Sequence, residues 1–524
     1  MEITGGLLAT IVVAIAVAGV ARWRGVGIAI PLLVAGAIIG ALPFGPVAPG
    51  DAGEVFLLIL APLIFGEAMS TSFFDFRRQR RPILALAIGL VVVSSVAVGA
   101  VAQWIVPGLS LGIAFALGAV LSPTDAVAVA NVARRGALPR RIVTILEGES
   151  LVNDGTGLTL LRVALTAAAV GAVTVGDVMR ILTVSVIGGL AVGALIGVII
   201  IWVMGRARDD LIANCLILIA PFPSYLIAEE FGGSGILAVV TTALIVANAM
   251  LSNRRFRGRM ASVAVWRQLT FILTAFAFFL VGLEIPATLL ALMPGELQTV
   301  AILVGAVLAT LFAARAIFVF VMVALSRLGA QERLGLREGI VLAWAGARGP
   351  VSGLAAFSIP AAAVAQEAAD DHRILLATTF CVVAITLLLA PTLGWVSQRL
   401  GIKGDDQARR ESALKAALIA RGLEAVDQAV EQGLIDGQPI DSKAERAVRA
   451  QLISLLPGDD APDQADTAEQ VWLLEGRVLR AQYEELLRLR DEEGMSDALV
   501  RPVMQALDVQ SAAHKGRARP SGTT

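Results

Sequence analysis

Apolar residues in this chain come in long blocks rather than in alternation. Stretches of about 20 residues with few charges recur from Ile3 to about Leu400, about the length a helix needs to cross the hydrocarbon core of a bilayer. Thirteen blocks can be placed, near 4–21, 26–42, 53–71, 82–106, 110–133, 142–170, 178–204, 210–229, 233–251, 263–284, 297–325, 337–358 and 374–399. Lipid offers backbone groups no partners, so each block is expected to be a helix that closes its own hydrogen bonds. Past Gly401 the pattern changes. "GDDQARRESALKAALIARGLEAVDQAVEQGL" and "TAEQVWLLEGRVLRAQYEELLRLRDEEG" place apolar residues at helical spacing among abundant charge. "LLPGDDAPDQAD" separates them as a loop. The pattern predicts a transmembrane domain over 1–401 and a small cytoplasmic helical domain over 402–524. The polar end "HKGRARPSGTT" is expected to be disordered.

Charge tests the span count. Arg22 and Arg24 follow the first block, Arg77 to Arg81 the third, Arg134 to Arg141 the fifth, Arg206 and Arg208 the seventh, Arg254 to Arg259 the ninth, and Arg327 to Arg337 the eleventh. The alternate loops, such as "FGPVAPGD" and "EEFGG", hold no Lys or Arg. Basic loops favour the cytoplasm. A multi-pass cell-membrane protein is expected, with its N-terminus outside and its C-terminus inside. Composition agrees: 57% of residues are hydrophobic and 16% charged, against about 25% charged in a soluble protein. The net charge of -1 gives no sign of a nucleic-acid partner. Cys215 and Cys381 both fall in apolar blocks and read as packing residues. "MEITGG" lacks the basic start of a signal peptide, so the first block is expected to be retained.

Acids inside such blocks need a reason, because a charge at mid-bilayer costs from about 2.5 kcal/mol upward. The candidates are Glu67, Asp125, Glu147, Glu149, Asp154, Arg162, Arg267, Glu284, Arg315 and Arg348. Arg267 and Glu284 lie near span ends and can snorkel. Arg162 and Arg315 are open: each could pair structurally or face a crevice. The others cluster with helix breakers. Pro123 precedes Thr124 and Asp125 in "LSPTDAV"; Gly346, Gly349, Pro350 and Gly353 surround Arg348 in "WAGARGPVSG". The two broken spans are seven apart and run in opposite directions by the loop count. Matched breaks in inverted halves point to the midplane site of a transporter. In "EGESLVNDGTG", Ser150 and Asp154 share one helix face, and Glu149 and Asn153 another. One acid can then face an ion while the other faces a partner. Arg348 is the expected partner of Glu149, as a buried cation of matching depth.

These residues resemble those of the NhaP-type sodium/proton antiporters. They belong to the monovalent cation:proton antiporter superfamily, which also holds the animal sodium/proton exchangers. The resemblance covers about residues 5–400 and rests on "SPTDAVAV", "EGESLVNDGTG", "FFLVGLEI" and "GARGPVSGLAA" in the family's order. It implies an all-α polytopic fold of about thirteen helices in an inverted repeat with two broken helices. Spans 4–6 and 11–13 would form a moving core, and the rest a scaffold that dimerises. It implies Asp154 as the ion and proton carboxylate, with Thr124, Asp125, Ser150 and Glu67 beside the ion and Asn153 bracing the crossing. Glu149 and Arg348 would be a structural ion pair. Two positions depart from many relatives: Ala126 stands where they have proline, and Ala347 where they often have leucine.

The expected function is exchange of Na+ or Li+ for H+, one for one, with no cofactor and with membrane lipid and a second copy of the chain as partners. A K+/H+ exchanger on the same fold is the near alternative, and a cation channel a more distant one. An intramembrane hydrolase would need paired acids or a Ser/His pair at depth. The two histidines, His372 and His514, lie at a loop and in the tail.

Overall fold

The long apolar blocks are helices in the structure, a computed structural model. It describes residues 2–42, 59–126, 138–170, 174–206, 209–252, 259–326, 334–357, 369–402, 407–435, 438–454, 468–492 and 494–516. The chain divides into two units. One is formed by residues 1–71, 76–247 and 263–405, the other by 72–75, 248–262 and 406–524.

In the first unit the helices are α1 (Glu2–Trp23), α2 (Ala29–Gly40), α3 (Ala61–Ser70), α4 (Arg80–Ile105), α5 (Leu111–Leu121), α6 (Arg140–Val170) and α7 (Val175–Arg206). They continue with α8 (Asp210–Ile219), α9 (Pro221–Glu230), α10 (Gly235–Ser252, its part up to 247), α11 (Arg259–Leu290, its part from 263) and α12 (Glu296–Ser326). The last are α13 (Leu336–Trp344), α14 (Pro350–Ala356), α15 (Ala369–Leu389) and α16 (Thr392–Arg399). Six helices among the described residues are long and apolar enough to cross a membrane, counting α8 and α9 as one across Pro221. The 31-residue α6 is not among them. Glu147, Glu149, Asn153, Asp154 and Arg162 dilute its apolar length.

Local chemistry sets several ends. The Ser110 hydroxyl accepts the Ile113 N–H at the start of α5, and Asp209 accepts the Leu211 N–H at the start of α8. Two blocks read as single spans are interrupted as their prolines require. The fifth stops at Leu121, before Pro123, and Ser122–Ala126 is irregular. The second half of that span lies outside the described residues. The twelfth is α13, an unwound stretch over Ala345–Gly349, and α14.

Helices of the expected core pack on one another: α4 on α5, α5 on α6, α12 on α4, α13 and α15, and α14 on both α5 and α15. Their apolar residues are buried on one side and bare on the other. On α12, Val300, Val304, Val307, Leu311, Val319 and Val323 are buried, while Ile302, Ile317, Val321 and Leu325 are exposed. A helix apolar all round belongs in lipid.

The second unit holds α17 (Gln407–Gln432), α18 (Ser442–Ser454), α19 (Ala468–Asp491) and α20 (Asp497–Gly516). A two-residue antiparallel ladder pairs Leu434 with Pro439. Val426, Val448 and Leu474 lie in one apolar cluster of this unit, Leu414, Leu486 and Val500 in another. The terminal stretch expected to be disordered begins as helix. α20 runs through Gly516, and His514 is buried with its ring nitrogen 3.2 Å from Glu475. Residues 517–524 and the loop over 455–467 lie outside the described residues.

Candidate functional site

The two broken segments meet. Asp125 donates its backbone N–H to the carbonyl of Ala347 at 2.8 Å, joining the unwound stretch after α5 to the one between α13 and α14. The approach requires glycine at 349. A Cβ there would lie 2.6 Å from the Asp125 Cβ and 2.7 Å from its carboxylate carbon. Pro123 is seated against α6 in the same way, since a Cβ on Gly157 would lie 2.4 Å from the proline ring. Two glycines with no side chain therefore set how closely the breaks and α6 come together.

Helix α6 ties the crossing together with side chains. Asn153 donates to the Thr124 carbonyl at 3.0 Å and to its hydroxyl at 3.1 Å. The Thr124 hydroxyl in turn donates to Glu149 at 2.9 Å. Ser150 accepts the N–H of Ala126 at 3.1 Å. That bond depends on the departure noted above, because a proline at 126 would have no N–H to give.

The expected partner of Glu149 needs correction. Its carboxylate is held by Arg315, with Nη1 2.5 Å from Oε1 and Nη2 2.9 Å from Oε2. Arg315 also donates through Nε to the Leu342 carbonyl at 2.9 Å. Arg348 instead donates to carbonyls: through Nε to Leu121 at 2.8 Å, and through Nη1 to Gly346. The reason is geometric. Arg315 reaches Glu149 from the buried stripe of α12, where its planar fork meets both oxygens. Arg348 stands inside unwound backbone, beside the C-terminal carbonyls of α5. Those carbonyls have no helical donors and carry partial negative charge.

Asp154 lies one turn along α6 from Ser150, on the face toward the crossing. Glu67, Thr124, Asp125, Ser150 and Asp154 line one cavity of about 10 Å³, closed by the 349–352 stretch. That is room for about one water-sized body. Asp154 is 5% exposed, and Asn153 and Glu149 are buried completely or nearly so. Glu67 enters from α3, whose Gly66 packs on Thr270 of α11 and whose Phe65 packs on Trp266. The cavity thus takes acids from the broken span, from α6 and from a third helix. Among the described residues, no group of three or more His, Cys, Asp or Glu is arranged to hold a resident metal ion.

Two residues were missed as parts of this site. Ser352, 2% exposed, lines the cavity. It sits in the quoted "GPVSG" run, two residues past the helix-starting proline. Arg315, which the sequence leaves open between pairing and a crevice, is the second. It falls on the four-residue ladder of buried positions Leu311, Arg315, Val319 and Val323, so periodicity alone would have aimed it inward. Of the other candidates, Arg267 is exposed, Glu284 is half-buried in α11, and Arg162 pairs with Glu229.

Residues 8–395 match the model of the transmembrane sodium/hydrogen exchanger family. An uncharacterised Na+/H+ exchanger of Mycobacterium tuberculosis is 31% identical over 93% of this chain and 92% of its own length. A sodium, potassium, lithium and rubidium/H+ antiporter of Bacillus pumilus is 30% identical over 70% of this chain and 57% of its own. The solved sodium/proton antiporter MjNhaP1 of Methanocaldococcus jannaschii superposes with a TM-score of 0.61 at 21% identity. The match covers 76% of this chain and 99% of that one, and it shows the shared fold.

Proposed function

Because the chain belongs to the sodium/hydrogen exchanger family, and the family's reaction is antiport, we propose that it exchanges Na+ or Li+ for H+ around Asp154 by alternating access. The observation that carries this reading is a small cavity at the crossing of two broken segments, lined by Asp154, Asp125, Glu67 and Ser150.

The mechanism follows from the Asp154 carboxylate. Glu149 is neutralised by Arg315, so it brings no free charge to the cavity. Asp154 is 5% exposed, and an anion at that depth resists further desolvation. A proton cancels its charge covalently. A monovalent cation cancels it by coordination to Asp154, with oxygens of Ser150, Thr124, Asp125 and Glu67 in reach of the same space. Either loaded form can cross between the two faces, and the empty anion cannot. The two ions therefore compete for one group and exchange. Asn153 and Thr124 hold the α6 face to the break, so the carboxylate keeps its aim as the core moves. Arg348 fixes the end of α5 from the other break.

A second reading includes K+ among the cations, and the Bacillus pumilus relative, named for four alkali cations, favours it. Purified protein in vesicles with a pH gradient decides. Na+, Li+, K+ and Ca2+ are added in turn while internal pH is followed. Dissipation by Na+ and Li+ alone supports the first reading, and equal dissipation by K+ the second. A gradient that no cation dissipates overturns both.

A further inference from the structure

A second and larger cavity, of about 270 Å³, lies farther along α6. Leu158, Arg162, Ser185, Tyr225, Glu229 and Ser234 are among its walls. Leu158 is one turn and Arg162 two turns beyond Asp154 on the same helix face, about 6 and 12 Å along the axis. The cavity thus lies farther along α6 than Asp154, away from the Arg140 end. Across it, Arg162 is paired with Glu229 and also donates to the carbonyls of Gly233 at 3.1 Å and Gly232 at 3.4 Å. The other Glu229 oxygen accepts the Gly235 N–H at 2.9 Å. The turn between α9 and α10 is itself fixed to α7, for Ser234 donates its N–H to the Ser185 carbonyl at 2.8 Å. The Ser185 side chain belongs to a residue 1% exposed, and its hydroxyl has no partner among the described residues.

We infer that this cavity is the ion's doorway on the side opposite the Arg140 end, and that the Arg162–Glu229 pair is its gate. The inference rests on the alternating-access reading. There, α6 moves with the core while the α9–α10 turn stays with the scaffold. A link between the two must part whenever the doorway opens. An ion pair suits that duty. Its side chains are 34% and 31% exposed, so water can take over both charges as it opens, and the pair is weak enough to break in each cycle. Parting leaves a carboxylate and a hydroxyl, Glu229 and Ser185, facing a hydrated monovalent cation. By the loop charges, this doorway faces outward.

The test reads access to the cavity. In the full-length chain, with Cys215 and Cys381 replaced by serine, Leu158→Cys is introduced. The protein is placed in vesicles of known orientation, and a membrane-impermeant maleimide is added on the α9–α10 side. Arg162→Gln or Glu229→Gln is expected to speed labelling of the Leu158→Cys thiol about fivefold to tenfold, as a shift of population toward the open doorway. The charge-swapped Arg162→Glu/Glu229→Arg protein is expected to label more slowly than either single variant, because the pair is restored, and faster than the parent, because the bonds to the Gly232, Gly233 and Gly235 backbone are lost. Equal labelling in all four, with a parent that exchanges ions in the same vesicles, overturns the gate and leaves the antiport reading standing. A folded parent with no cation-dependent proton flux overturns the antiport reading, and the gate with it.

Discussion

Arg315 grips both oxygens of Glu149, at 2.5 and 2.9 Å, with each side chain only 2% exposed. Two charges taken this far from water are tolerable only together. Removing one partner leaves the other buried and uncompensated, which is worse than having neither. Because Thr124 also donates to Glu149, the pair anchors the unwound stretch beside the cavity that Asp154 lines. It couples the stability of the bundle to the shape of the site.

Arg315→Met should therefore lower stability by about 3–5 kcal/mol, seen as a large fall in the thermal midpoint of the detergent-purified protein. Adding Glu149→Gln should recover part of the loss. A double-mutant cycle should show strong coupling between 315 and 149, and weaker coupling between 348 and 149. Stronger coupling to Arg348 would mean that the partner expected from sequence is the real one.

Arg348→Ala should act differently, because what it strands are carbonyls and not a charge. Leu121 and Gly346 would each lose a donor, at roughly 1–3 kcal/mol apiece where water cannot replace it. The damage should concentrate in transport, since the α5 end is what Arg348 fixes. A variant with normal exchange and a normal thermal midpoint would show that the end of α5 holds itself.

Among the acids, Asp154→Asn should abolish cation-dependent proton flux while leaving the protein folded, since the amide keeps the shape and cannot exchange a proton. Asp125→Asn and Glu67→Gln should raise the cation concentration needed for half-maximal flux. Glu284→Gln, on α11 and not a wall of this cavity, should do so least. Flux surviving in Asp154→Asn would place the carrier elsewhere, and equal effects at 67, 125 and 284 would undo the ranking.

How much of this was legible beforehand differs by level. The helices were readable because the bilayer imposes one length and one pattern. Blocks at 297–325 and 263–284 became α12 and the middle of α11 for that reason. The breaks were readable because Pro123 and the Gly346–Gly353 cluster carry their conformational consequences with them. Pairing was not. Glu149 had two buried arginines within plausible depth, and the choice rests on how far α12 sits from α6, which no local pattern encodes. Ser352 was hidden for a related reason: a serine beside a proline has many uses, and only the folded crossing turns it toward Asp154's cavity. The same holds for Arg162, whose partner Glu229 lies 67 residues away in sequence.

Gly349→Ala tests the close approach of the two breaks. The added carbon would lie 2.6 Å from Asp125 Cβ, so either the Asp125 side chain or its backbone must move. An ångström-scale displacement of a site group is expected to reduce exchange by about tenfold or more. Gly305→Ala on α12, where nothing lies within 4 Å of the added carbon, is the control and should leave exchange unchanged. Equal exchange in both variants would mean that the crossing has slack and that Asp125 need not stay where it is.

Charge balance gives the last prediction. With Glu149 cancelled by Arg315, the proposed cycle makes Asp154 the carboxylate whose charge the exchanging ion offsets. The residue before it is Asn153, which stays neutral and is occupied with Thr124. A core loaded with one proton then carries the same charge as one loaded with one monovalent cation. Membrane voltage, worth about 2.3 kcal/mol per charge per 100 mV, does no net work on such a cycle. Asp125 and Glu67 share the cavity; if either also exchanged a proton in step with Asp154, the balance would shift to more than one proton per cation. The measurement is proton flux in vesicles at fixed Na+ and pH gradients, with voltage set by valinomycin and K+. One-for-one exchange predicts the same flux at 0 and at -100 mV, which is roughly a 50-fold range for any step that moves a whole charge across the membrane. A flux that climbs steeply with imposed voltage, or a sodium-evoked current that scales with turnover, would refute one-for-one exchange and direct attention to Asp125 and Glu67 as the source of the second proton.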